Sequence, residues 1–148
     1  MVEALTKSLH SGLPQHRPLI VVAAALVDAG GRVLLQQRPE GKAMAGLWEF
    51  PGGKVDAGET LQAALVRELE EELGILTHES CLAPATFANG RTEDGQELLL
   101  LLYVCRKWTG VPYLRHAAAL RWARPTEMFA LPMPPADLPM IGVLDALV

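Results

Sequence analysis

Leu19–Val27 reads L-I-V-V-A-A-A-L-V, nine residues without a polar side chain. A strand with one wet face alternates apolar and polar residues, so an unbroken run rich in Val and Ala suits a central strand covered on both faces. The protein must then supply a layer on each side of that strand. The run is far short of the roughly 20 residues that span a bilayer, and so is the other long apolar stretch, Leu98–Val104. Half of the 148 residues are hydrophobic and 20% are charged, a globular composition with enough chain for one full core.

The remaining segments predict what surrounds that strand. Asp28-Ala29-Gly30-Gly31 is turn chemistry, and Arg32–Gln37 follows as a second strand, which predicts a hairpin. Leu47–Phe50 is a short extended piece ended by Pro51-Gly52-Gly53, read as a turn. Residues 59–73 carry leucines four apart and predict a helix that stops at Gly74. Cys81–Ala88 and Glu97–Lys107 flank a polar turn, Ala119–Ala123 forms one more strand, and Pro125 opens a short helical turn. A final amphipathic helix runs from about Pro135 to Leu147. Strands and helices mix without regular alternation, so residues 18–148 are expected to form one α+β domain with a mixed sheet and helices on both faces.

Residues 1–17 read as a flexible leader, and Glu3 with no sustained apolar core argues against a secretory signal. Cys81 and Cys105 have no ligand-like spacing and read as free buried thiols in a cytoplasmic protein. The net charge of −4 gives no general attraction for nucleic acid polymers or anionic membranes. An anionic substrate therefore needs a metal or a few well-placed basic residues.

Residues 66–75, V-R-E-L-E-E-E-L-G-I, stack acids where a helix ends, although the negative end of the macrodipole repels carboxylates. Advancing about 100° per residue puts Leu61, Leu65, Leu69 and Leu73 on one stripe. Glu72 falls inside that stripe, Glu68 at its edge, Glu71 and Arg67 on the adjoining flank, and Glu70 opposite, toward solvent. An ionised carboxylate turned inward is costly without a partner, and clustered acids raise one another's pKa. A hard divalent cation resolves the conflict, and all-oxygen ligands favour Mg²⁺ or Mn²⁺ over zinc. The preceding loop, F-P-G-G-K-V-D-A-G-E, brings glycines whose backbone can approach a metal or phosphate closely.

Gly53, then five residues, Glu59, then seven residues, then Arg67-Glu68-Leu69-Glu70-Glu71-Glu72-Leu73-Gly74-Ile75 matches the Nudix box G-x5-E-x7-R-E-U-x-E-E-x-G-U, U being bulky aliphatic. With L-W-E-F-P-G-G-K at 47–54, Q-Q-R at Gln36–Arg38 and P-P-A-D-L-P near the C-terminus, residues 18–148 resemble the MutT branch of the Nudix hydrolases. The resemblance implies an α/β/α sandwich with a mixed sheet and a loop–helix–loop motif. It implies that Glu68, Glu71 and Glu72, with the carbonyl of Gly52, hold Mg²⁺ (or Mn²⁺). Arg67 would orient a glutamate, Glu59 would stabilise the loop, and Gly74 would close the motif. Arg38, Gly53 and Lys54 would meet substrate phosphates. The implied reaction is nucleoside triphosphate plus water to monophosphate and pyrophosphate, by attack on the β-phosphorus, with Glu68 or Glu72 as base. A monomer or weak homodimer is expected.

Asp137 is the candidate for base selection. An ionised Asp only accepts hydrogen bonds, which favours a base edge with a donor, such as cytosine N4–H₂ or the N7–H of 8-oxoguanine. An N-cap for the final helix is the other reading of Asp137. The chain departs from the MutT pattern at His116-Ala117-Ala118-Ala119-Leu120-Arg121-Trp122, where related chains carry a Glu before L-x-W; between Glu97 and Glu127 there is none. His116 either takes that place or is a surface histidine. Three activities follow: oxidised dGTP hydrolysis first, CTP or modified dCTP hydrolysis second, and a catalytically weak nucleotide-binding module third.

Overall fold

The computed structural model describes residues 17–148; the leader expected at residues 1–17 lies, but for Arg17, outside the described residues. Strand β1 (Leu19–Leu26) is the axis of the molecule. It lies in a four-stranded mixed sheet in the order β4-β1-β6-β5, antiparallel to β4 (Gly52–Lys54) and parallel to β6 (Glu97–Cys105), with β5 (Leu82–Arg91) outside β6. A second, antiparallel sheet has the order β3-β2-β7, built from Trp48–Glu49, Val33–Gln37 and Ala119–Ala123.

The apolar run behaves as its composition requires. Its alternate residues enter two different cores. Ala23, Ala25 and Val27 pack with Met128 of α2 (Pro125–Met128) and with Met140, Ile141 and Leu144 of α3 (Leu138–Leu147). Val22, Ala24 and Leu26 pack with Leu65, Leu69 and Leu73 of α1 (Leu61–Leu73). One strand thus serves both layers of an α/β/α sandwich, and small alanines let both layers approach it.

Three expectations need correction. The turn after β1 forms, with Asp28 Oδ1 accepting from the amides of Gly30 and Arg32 at 3.0 and 2.8 Å. Past the single bridge between Val27 and Val33, however, β1 and β2 part into different sheets. Both edges of β1 are already taken by β4 and β6, so no hairpin ladder can extend. Gly52 and Gly53 are not a plain turn; they are strand residues paired with Ala23 and Val22. A Cβ on Gly52 would lie 2.0 Å from the Val22 carbonyl oxygen, so only glycine permits that approach. The last helix begins at Leu138 rather than Pro135, because two consecutive prolines precede it.

Cys81 and Cys105 are free thiols, the first partly exposed and the second buried. Among the described residues no helix is long and apolar enough to cross a membrane.

Candidate active site

Thr60 caps α1, its Oγ1 accepting from the Ala63 amide at 3.1 Å. About two turns in, Arg67 joins the helix to the loop before it. Its guanidinium donates to both oxygens of Glu59 at 2.8 and 2.9 Å, to the Lys54 carbonyl at 3.1 Å, to Glu68 at 2.9 Å and to Glu71 at 3.2 Å. Glu59 also accepts from the Asp56 amide at 2.9 Å. The Arg67 hydrogen bonds, above all, hold the Glu59 carboxyl below the ordinary glutamate range. Four acids share this one guanidinium, because Asp56 also stands 3.4 Å from it.

Glu72 is not among them. It accepts from Gln36 Nε2 at 2.9 Å and from the Gly52 amide at 3.1 Å, both on Oε2. Burial pushes its pKa up to about 7; the two donors pull it back, and Glu68 and Glu49 push it further up. Glu68 is raised as well, by burial first, against the pull of Arg67. Gly53 is what lets Glu68 sit there, since a Cβ on residue 53 would fall 2.4 Å from the Glu68 carboxyl carbon. Glu71 is 56% exposed and turned onto Arg67, and Glu70 faces solvent. Among the described residues no three acidic, histidine or cysteine side chains already converge as a closed metal shell. The donor chemistry nevertheless fits a hard divalent cation. Glu68 and Glu72 are both partly buried with raised pKa values, their carboxyls and the Gly52 backbone offer oxygen donors, and Arg67 pairs with Glu68 but not with Glu72.

The acids at the negative end of α1 are tolerated through a residue the sequence reading passed over. Arg115 donates to the Glu70 carbonyl at 3.0 Å and the Glu71 carbonyl at 3.4 Å, putting a cation where the macrodipole is negative. Arg115 is held in turn by Tyr113, whose hydroxyl accepts from its Nε at 2.8 Å. Gly74 is left-handed at φ 68° and makes room for the Tyr113 ring, which a Cβ would meet at 2.1 Å.

Glu72, Gly52, Gly53 and Lys54 line a cleft of about 870 Å³, together with Arg38 and His116. Phe50, Ala136 and Asp137 line the same cleft. Arg38 is fixed by Glu49 at 3.0 Å and by the Ala43 carbonyl at 2.6 Å. Burial raises the Glu49 carboxyl, and Arg38 draws it partly back. Asp137 is only 5% exposed. It stands at the N-cap position of α3 but makes no side-chain capping bond. Burial, then the charge of Glu49, pushes its pKa up to about 7, against a backbone hydrogen bond from Phe50 and the charge of Arg38. The shift favours the protonated carboxyl over the fully ionised acceptor expected from the sequence. His116 is exposed on the cleft wall, while Glu68, Glu71 and Arg67 are not among the residues that line it.

Gln36 and Glu49 stand in the quoted motifs Q-Q-R and L-W-E-F-P-G-G-K, but the sequence assigns neither a role of its own. A polar residue after three strand positions of V-L-L is a signal of sorts, but spacing alone does not tell which of Gln36 and Gln37 turns inward.

A family model described as NUDIX domain matches residues 17–143. The CTP pyrophosphohydrolase of Escherichia coli strain K12 is 38% identical over 129 residues, covering 87% of this chain and 93% of its own length. The 8-oxo-dGTP diphosphatase of Haemophilus influenzae is 36% identical over 127 residues, covering 84% and 90%. Among solved structures, the E. coli ORF135 protein superposes with a TM-score of 0.75 at 34% identity, over 91% of this chain and 95% of that one. A MutT from work on Aliivibrio salmonicida and Vibrio cholerae gives 0.70 at 28% identity, over 89% and 100%.

Proposed function

The chain belongs to the Nudix hydrolase family, MutT-like branch, and from that premise we propose that it hydrolyses a nucleoside triphosphate to the monophosphate and pyrophosphate. Oxidised dGTP is the first substrate, and CTP or a modified dCTP the second. The observation that carries the reading is the single cleft joining Gly52, Gly53 and Glu72 to Asp137. One end suits a triphosphate with its cation and the other suits a base.

Glu72, Glu68 and the Gly52 carbonyl would hold Mg²⁺, with Glu71 released from Arg67 to join them. Bound Mg²⁺ supplies charge compensation for the triphosphate and the departing oxygen and makes water more acidic. Arg38, already braced by Glu49 and Ala43, offers its remaining donors to phosphate oxygens, and Lys54 adds a charge at the same end. Glu68 or Glu72 takes the proton from the attacking water.

Asp137 in its acid form pairs a donor with an acceptor. That pattern complements the O6 and N7–H of 8-oxoguanine and the N3 and N4–H₂ of cytosine. Ordinary guanine, with acceptors at both N7 and O6, leaves the Asp137 acceptor unanswered. The E. coli relative named for CTP supports the second substrate. The setting this implies is cytoplasmic nucleotide-pool sanitation, by a monomer or weak homodimer.

Pyrophosphate release with Mg²⁺ across 8-oxo-dGTP, dGTP, CTP, 5-methyl-dCTP and ADP-ribose tests the reading. The expected result is strong preference for one oxidised-purine or cytosine triphosphate over dGTP. Equal rates on all the triphosphates would remove base selection from Asp137, and release from none of them would leave a binding module.

A further inference from the structure

We infer that Gln36 is a positioning residue for Glu72, fixing which of its two oxygens is offered to the cation. The inference rests on the assignment of Glu72 to the metal end of the cleft. Gln36 is a buried polar side chain, 7% exposed, in the middle sheet strand β2. Its amide nitrogen reaches Glu72 Oε2 at 2.9 Å, across 36 residues of sequence. The Gly52 amide arrives at the same oxygen from β4 of the other sheet, at 3.1 Å. Two donors from two different sheets therefore converge on Oε2, and Oε1 is left to the cleft that Glu72 lines. A carboxylate held by two hydrogen bonds on one oxygen has little rotational freedom, so the free oxygen is presented in a single direction.

The chemistry of residue 36 matters as much as its reach. A carboxamide donates without carrying charge. A Lys or Arg at this position would pair with Glu72 as Arg67 pairs with Glu59, and would compete with the cation. A neutral donor steadies the ligand and leaves its charge available. The nitrogen of the amide must face Glu72, because a carboxylate has nothing to donate to the amide oxygen.

The test is Gln36→Leu in the full chain, with Gln36→Met as a second variant that keeps length and volume. Mn²⁺ binding is followed by electron paramagnetic resonance without nucleotide, and kcat, KM and thermal melting are measured beside it. Removal of a group that orients a metal ligand should weaken Mn²⁺ binding by about 10- to 100-fold and lower kcat. Nucleotide KM measured at saturating Mg²⁺ should stay unchanged, because Gln36 lines the cleft but is assigned no substrate contact. A packing role alone would move the melting temperature and leave the Mn²⁺ dissociation constant in place. Mn²⁺ affinity and kcat within about twofold of the parent, in either folded variant, would overturn the inference. Glu72→Gln separates this from failure of the underlying assignment. If that variant keeps Mn²⁺ binding and turnover, the metal end itself is misassigned; if it loses both while Gln36→Leu does not, only the role of Gln36 falls.

Discussion

The two ends of the cleft solve the same electrostatic problem differently. Each holds a carboxyl pushed up to about 7, the partly buried Glu72 where the cation is proposed and the buried Asp137 where the base is proposed. Glu72 is given two neutral hydrogen-bond donors on one oxygen and, among the described residues, no paired cation. Asp137 is drawn down by one backbone donor and by Arg38, a guanidinium already paired with Glu49. The first arrangement leaves a charge for an incoming metal to satisfy. The second leaves a proton that comes and goes near neutral pH, with a donor or acceptor to match. Burial alone does not specify a role; the partners provided for the buried charge do.

Removing the charge at the metal end should have the largest effect. Glu72→Gln is expected to cut Mg²⁺-dependent pyrophosphate release by at least about 100-fold, read from initial rates at saturating nucleotide. Rates near the parent value would dissolve the contrast between the two ends. Asp137→Asn should do something different. It leaves Mn²⁺ binding and Mg²⁺ activation unchanged but alters the ratio of kcat/KM between 8-oxo-dGTP and dGTP, or between CTP and dGTP. The shift expected is about 10-fold, within the roughly 1–3 kcal/mol that a paired base contact supplies. An amide does not titrate in this range, so the pH dependence of that ratio around pH 7 should also flatten. An unchanged ratio would show that Asp137 reads no base.

The smallest effect sharpens the comparison most. Both carboxyls have folded-state pKa values raised above their ordinary ones, so between about pH 4 and pH 7 the folded protein binds more protons than the unfolded chain. Their stabilising contribution is full below about pH 4 and is lost as the pH rises through 7. The metal-free protein should therefore be less stable at about pH 8 than at about pH 5.5, by on the order of 1–2 kcal/mol per group, and melt lower. Mg²⁺ should cancel the share owed to Glu72 and leave that of Asp137. Glu72→Gln and Asp137→Asn should each remove its own share, as followed by melting curves with and without Mg²⁺. If Mg²⁺ changes the pH slope equally in the parent and in Glu72→Gln, the cation is not held by Glu72.

Much of this site is legible in the sequence alone, and for a consistent reason. The leucine stripe, the inward turn of Glu72 and the outward turn of Glu70 follow from helical periodicity over one short segment. The need for glycine at residue 53 was visible as close approach, although its cause is the Glu68 carboxylate rather than a turn. The departure at His116 was legible as well, and the structure places that residue on the cleft wall. Elsewhere the local signal was correct but insufficient. Asp28–Gly31 does turn the chain, yet β1 takes β6 as its parallel partner, some eighty residues away, instead of β2.

By itself the sequence determined a double-sided central strand, the acid-bearing helix and the family to which its spacing belongs. These rest on periods of two and 3.6 residues and on fixed local offsets, which survive any packing of the chain. Only the tertiary structure decided that Gln36 meets Glu72, that Arg115 caps the end of α1 and that Asp137 is buried beside Glu49 rather than capping α3. Those pairings cross 36 residues in the first case and 45 in the second. A polar side chain's partner and its desolvation are set by what the sheets bring to it, and no local pattern encodes them.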